Sequence, residues 1–238
     1  MPERWNKAAQ LRKEQIESGL DITFNRVFVP HFQKCIEAET PRSVLEVGCG
    51  TGHLSAKLVK ICQDIEALEP SPGMHAVAAE VLADSEVVLH HVSAEKFKSN
   101  RKFDVVLSHL CGHVVADLDS FFRSCAAFVA PSGSFILSLP HPCFWNEYRR
   151  VFPTEDYRYM QEAFASTTLY ITKDPNRPIE AMPFHHRPLS RYLNALHGCG
   201  MALKSLDEIV PAKAVQAEYD AEWLFPRYCV LHAVHLRH

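Results

Sequence analysis

Three of the chain's nine glycines fall within five residues, Gly48-Cys49-Gly50-Thr51-Gly52. They follow directly on Ser43-Val44-Leu45-Glu46-Val47, a β-branched apolar run that reads as a buried strand. They precede a segment whose Leu54, Leu58, Val59, Ile61 and Cys62 share one helical face. A glycine-rich turn from a buried strand into a helix lets backbone pass close to a ligand with no Cβ in the way, and it aims free helix N–H groups at that ligand. From its first strand, then, the chain reads as an α/β fold with a nucleotide-like ligand at this turn.

The alternation continues downstream. Strand patterns at Ile65 to Leu68, Val87 to Leu89, Phe103 to Leu107 and Ser134 to Leu139 are interleaved with helical patterns at Pro72 to Ala83 and Leu118 to Val129. Strand and helix in turn imply a parallel sheet covered on both faces. Upstream, Glu3 to Glu17 reads as a surface helix, and Thr23 to Glu39 as a second helix that Pro30 must kink or restart. Between Pro140 and Pro188 the alternation dissolves into aromatic and charged residues. A hairpin of Thr168 to Thr172 against Ile179 to Phe184, turning at Asp174-Pro175-Asn176, is expected there as part of a lid. A helix after Pro188 and apolar stretches Ala202 to Ile209 and Tyr228 to Leu236 complete the pattern.

Composition narrows the function classes. The 238 residues are 47% hydrophobic and 22% charged, with a formal net charge of −3, a length that suits one large α/β domain. No basic balance favours nucleic acid or an anionic membrane. The N-terminus has no apolar signal core, and the uncharged stretch Ser124 to Pro140 is too short for a membrane span. The eight cysteines form no C-x-x-C pair and read as reduced thiols of a cytoplasmic protein.

The turn itself selects among nucleotide folds. An ATPase phosphate loop requires a Lys-Ser or Lys-Thr that is missing here. A dinucleotide fingerprint needs a small third residue where His53 stands. What remains, Val44-Leu45-Glu46-Val47-Gly48-Cys49-Gly50-Thr51-Gly52, resembles the first motif of the class I S-adenosylmethionine-dependent methyltransferases, and the likeness runs in order from about Arg42 to Leu139. It implies a Rossmann-like, mostly parallel seven-stranded sheet of order 3-2-1-4-5-7-6. On that plan residues 1–238 form a single domain, with an N-terminal helical cover at 1–39 and a lid at 140–187 after the fifth strand.

The resemblance also implies site residues. S-adenosylmethionine would lie against Gly48, Cys49, Gly50, Thr51 and Gly52, with Glu46 at its amino end. Glu69, ending the second strand in Leu68-Glu69-Pro70, suits a ribose diol, since one carboxylate can accept both hydroxyl hydrogen bonds. Pro70, Met74 and the Ser93-Ala94-Glu95 turn are expected near the adenine, although Met74 also fits simple core packing. Ser108 and His109 end the fourth strand beside the methyl group, in a motif that lacks the Asn/Asp-Pro-Pro-Tyr/Phe of adenine and amide-nitrogen methyltransferases. Trp5 is expected in the cover.

Methyl transfer is an in-line displacement, so the protein mainly aligns the partners and removes at most one proton. Histidines past the fourth and fifth strands, His109, His113 and His141, are the base candidates; each also suits a packed, hydrogen-bonded role. His113, His141, Trp145, Tyr148, His186 and Arg187 form the expected wall for a planar or acidic small molecule. No metal is assigned, although Cys111, His113, His141 and Cys143 end neighbouring strands with zinc-like residue types. The reading is methyl transfer to oxygen, nitrogen or carbon of a small acceptor, with no membrane or nucleic-acid partner. A transfer-RNA-modifying enzyme and a non-catalytic cofactor-binding subunit stand as alternatives.

Overall fold

The structure, a computed structural model, describes residues 2–236. In chain order it contains α1 (Pro2–Glu17), α2 (Val29–Glu39), β1 (Val44–Val47), α3 (His53–Leu58), β2 (Ile65–Leu68), α4 (Pro72–Val81), β3 (Val88–His90), β4 (Phe103–His109), α5 (Leu118–Ala127) and β5 (Val129–Pro140). There follow α6 (Trp145–Arg149), β6 (Ala163–Ile171), β7 (Asp174–His186), α7 (Leu189–Gly198), β8 (Met201–Ile209), α8 (Lys213–Gln216) and β9 (Tyr228–His235). Seven strands form one sheet in the order β3-β2-β1-β4-β5-β9-β8, while β6 and β7 form a separate antiparallel hairpin. Counted within the sheet, this is the expected 3-2-1-4-5-7-6.

The sheet is buried on both faces, as its apolar strands require. On one face Val106 and Leu137 pack with Phe122 of α5 and Leu196 of α7. On the other, Val105, Leu107 and Ile136 meet Phe28, Phe32 and Ile36, together with Leu54 and Leu58 of α3. Phe32 is fully buried, and burial of such a side chain contributes about 1.5–3 kcal/mol. The chain enters α2 through a π-turn at Phe24–Phe28, and Pro30 lies in the first turn of α2. Pro30 offers no N–H to the preceding carbonyls, so the helix restarts there.

The carboxyl ends of β1, β2 and β4 share one edge of the sheet, and α1 lies against it. Ala8 and Ala9 pack with Met74 and Val77 of α4 and with Ile179 and Met182 of β7. Asn6 Oδ1 accepts from the Ser71 hydroxyl at 2.6 Å and from the Gly73 N–H at 2.8 Å. On the other side of the helix, Gln15 donates to Asp174 at 2.9 Å and Glu14 pairs with Arg177 at 2.9 Å. The helix read as a surface element is thus packed between α4 and the hairpin, through small alanines that carry little weight in an apolar pattern.

Gly73 sets how close α1 can come. A Cβ there would stand 2.6 Å from the Asn6 Cα and 2.7 Å from its carbonyl oxygen, both backbone atoms. Gly73→Ala is expected to push α1 away at a cost of about 1–3 kcal/mol, seen as faster protease cleavage within residues 2–17 than in the parent chain.

The hairpin turns two residues earlier than the sequence suggests, because Ile171 pairs with Asp174. Asp174 is occupied by Gln15 and Arg177, so its carboxylate anchors α1 instead of shaping the turn. No helix among the described residues is long and apolar enough to cross a membrane.

Candidate functional site

All three glycines of the β1–α3 turn adopt left-handed backbone, with φ of 75°, 57° and 76° at Gly48, Gly50 and Gly52. That conformation costs other residues energy, which explains the clustering. At Gly48 the constraint is also one of space, since a Cβ would come within 2.4 Å of Cys111 Sγ, just past the end of β4. The turn and the β4 end form the floor of a cavity of about 570 Å³.

Two buried carboxylates, Glu46 and Glu69, line that cavity, whose rim also carries the exposed Glu95 and Asp117. Glu46, 2% exposed, accepts the Ser55 hydroxyl, and Glu69, 6% exposed, accepts the N–H groups of Gly50 at 2.9 Å and Ser71 at 2.7 Å. Burial raises each to about 7, the hydrogen bonds opposing the shift. Neither has a cationic partner among the described residues. The cavity therefore presents two oriented, uncompensated carboxyl groups suited to a ligand bearing hydroxyl or cationic donors.

The same walls hold Gly48, Cys49, Gly50, Thr51, Pro70, Met74, Ser93, Ala94, Glu95 and His109, with Trp5 contributed by α1. Two expected contacts lie elsewhere. Ser108 is 1% exposed and donates to the Val47 carbonyl at 3.2 Å, joining β4 to β1 beneath the floor. Gly52 faces Leu82 and Ala78 of the α4 side, with a virtual Cβ 3.1 Å from Leu82; its role is helix packing.

The three histidines separate. His109 keeps one side to the cavity, with Nδ1 2.8 Å from Ser138 Oγ and its ring edge-on to Phe28 and Phe32 at 4.4 and 5.3 Å. Burial pushes it down to about 3, so it is neutral at working pH. His141 lines neither cavity: its Nδ1 accepts the Cys143 N–H at 3.2 Å and its Nε2 lies 3.0 Å from Glu208. Both ring nitrogens being engaged, His141 braces the end of β5 and is not free to take a proton.

His113 lines a second, smaller chamber of about 80 Å³ with Trp145 and Tyr148 of α6, Phe184 of β7, and Trp223, Arg227 and Tyr228. Trp5, Val114 and Leu169 border both spaces, so they adjoin. Burial takes His113 down to about 3 as well, and its Nδ1 has no partner among the described residues.

Two other expected wall residues are structural. His186 Nε2 bonds the Tyr159 carbonyl at 2.8 Å. Arg187, 3% exposed, donates to the carbonyls of Gly112, Val115 and Ala116 at 3.1, 2.8 and 2.9 Å and pairs with Glu162. It fixes the loop after β4. The Cys111, His113, His141 and Cys143 set is not brought together. Cys111 donates to backbone carbonyls, His141 turns to Glu208, and the cluster with metal-ligand spacing among the described residues is His31, Cys35 and Asp207.

Trp223, Arg227 and Tyr228 were not anticipated. Their position follows from the folded sheet: β9 runs antiparallel to β5, with Tyr228 opposite Pro140. Residues just before β9 therefore arrive at the same edge as the β4 and β5 ends.

Residues 45–137 match the family model described as a methyltransferase domain. A ubiquinone biosynthesis O-methyltransferase of Azorhizobium caulinodans is 30% identical over 118 residues, 47% of this chain and 47% of that protein. A dTDP-3-amino-3,6-dideoxy-alpha-D-glucopyranose N,N-dimethyltransferase of Streptomyces fradiae is 34% identical over 101 residues, 40% of this chain and 38% of that protein. The chain spans about half or less of the length of these curated relatives. A solved S-adenosylmethionine dependent methyltransferase from Mesorhizobium loti superposes with a TM-score of 0.66 at 22% identity, covering 85% of this chain and 95% of that one. That likeness is one of fold.

Proposed function

We propose that this chain, a member of the class I S-adenosylmethionine-dependent methyltransferases, binds S-adenosylmethionine in the larger cavity and methylates a small molecule held in the smaller one. The observation that carries the reading is the pair Glu46 and Glu69, buried without a cation beside a left-handed glycine turn. Glu69 would take the ribose hydroxyls and Glu46 the cationic amino end, with Met74 and Ser93 to Glu95 along the base. When bound, the cofactor supplies an electrophilic methyl group on a sulfonium sulfur.

The chain's own residues supply alignment and exclusion of water. Trp5 of α1 and Leu169 of β6 stand where the two spaces meet, and residues 1–39 and 140–187 serve as cover and lid of one domain. His109 and His113, both neutral, add no positive charge of their own beside a cationic cofactor. Through its unpartnered Nδ1, His113 can orient an O–H or N–H of the acceptor; a basicity lowered this far suits positioning better than proton abstraction. Eight free thiols agree with a cytoplasmic location.

An acceptor chamber enclosed by aromatic side chains favours a small molecule over transfer RNA, which needs a broad basic face. Incubation with methyl-labelled S-adenosylmethionine and a cell extract separated into small-molecule, RNA and protein fractions tests this. Label is expected in the small-molecule fraction. Label confined to RNA or protein contradicts the reading, as does the absence of any transfer.

A further inference from the structure

We propose that the smaller chamber is an oxyanion site and that the acceptor is a small planar aromatic acid whose carboxylate pairs with Arg227; this rests on the methyltransferase reading and names its substrate class. Arg227 is 8% exposed, with its guanidinium 3.9 Å from the Tyr148 ring centre and 4.4 Å from that of Trp223. It has no carboxylate or hydrogen-bond acceptor among the described residues, and the nearby charge is the like charge of Arg149.

Other enclosed arginines of this chain are treated differently. Arg187 has three carbonyls and Glu162, and Arg12 has Asp21 at 2.7 Å. Stacking on ring faces offsets only a small part of the cost of removing a guanidinium from water, and it leaves the planar fork of N–H donors unused. The same wall holds two indole N–H groups with no acceptor, Trp145 Nε1 and Trp223 Nε1. An indole nitrogen can only donate. A fixed positive charge and two spare donors in one chamber call for an anionic ligand with several oxygen acceptors, and they disfavour an ammonium-bearing one.

The rest of the wall gives the shape. Tyr148 and Phe184 present flat rings around a space of about 80 Å³, which suits one aromatic ring and not a sugar nucleotide or a long chain. A carboxylate on such a ring matches the guanidinium fork in two parallel hydrogen bonds.

The test is calorimetric titration of the full chain, with and without S-adenosylhomocysteine, using 4-hydroxybenzoate and 3,4-dihydroxybenzoate and their uncharged amides as probes. The acids are expected to bind about 10- to 100-fold more tightly than the amides. Arg227→Gln is expected to abolish that preference while leaving amide affinity within about twofold, and Arg227→Lys to restore part of it. Should Arg227→Gln fail to fold, Trp145→Phe keeps an aromatic ring at that wall, removes one donor, and is expected to weaken the acids about threefold to tenfold. Acids bound no better than amides, or acid binding indifferent to both Arg227→Gln and Trp145→Phe, overturns the proposal. Binding of S-adenosylmethionine in the same preparations separates the two readings: if it binds and the acids show no preference, the acceptor class falls and the methyltransferase stands. Acid binding with no cofactor binding gives the reverse.

Discussion

Glu69→Ala is expected to weaken S-adenosylmethionine binding about 100-fold, the loss of two hydrogen bonds to a charged acceptor. Its effect on stability should depend on pH in a definite sense. The folded protein raises Glu69 from the ordinary carboxylate range to about 7 through burial. Between about pH 4.5 and 7 the folded state therefore holds more of this proton than the unfolded state, and the group's contribution becomes less favourable as pH rises. Removing it relieves that penalty above pH 7 and forfeits the bonds to Gly50 and Ser71 at every pH. The melting temperature of Glu69→Ala relative to the parent chain is accordingly higher at about pH 8 than at about pH 5. Thermal melts at the two pH values check the sign, and a relative shift in the other direction contradicts the assignment of Glu69 as a buried, function-bearing acid.

Gly48→Ala carries the second large effect, this time on the fold. Its φ of 75° is costly for alanine, about 1–2 kcal/mol, and the new methyl must displace Cys111 Sγ from 2.4 Å, about 1–3 kcal/mol more. At roughly 2–4 °C per kcal/mol for a chain of this size, the melting temperature falls by about 5–15 °C. Cofactor affinity should fall with it, since Gly48 and Cys111 share the cavity floor. In a Cys111→Ala background the Cβ at position 111 stands 3.7 Å away, an ordinary contact. The steric part should then vanish, leaving the backbone cost of about 1–2 kcal/mol. Equal losses in both backgrounds would show that sulfur proximity is not what requires glycine here.

Glycine and a strand-ending acid are the residue types through which the sequence displays this part of the fold. A buried strand followed by glycines at 48, 50 and 52, and an acid ending the next strand, are signals carried by backbone conformation, which depends on local sequence. Side-chain direction does not. His141 was expected at the edge where β5 ends and does stand there, but Glu208 of β8, distant in sequence, turns it away. Arg187 resembled a substrate anchor until three carbonyls of the loop after β4 consumed its donors. Arg227 was invisible for the opposite reason. It precedes the last strand, and only the antiparallel pairing of β9 with β5 brings it back to the site. The hairpin turn was displaced because Asp174, a residue type typical of turns, is committed to α1.

Occupancy of the larger cavity is read by titration calorimetry with S-adenosylmethionine, with S-adenosylhomocysteine and NAD as comparisons, run near pH 6.5 in two buffers of different ionisation enthalpy. The expected result is micromolar binding of the first two, none of NAD, and a buffer-dependent heat showing release of roughly a proton as Glu46 and Glu69 ionise against the ligand. Equal binding of NAD, or no heat with either sulfur compound, would contradict it.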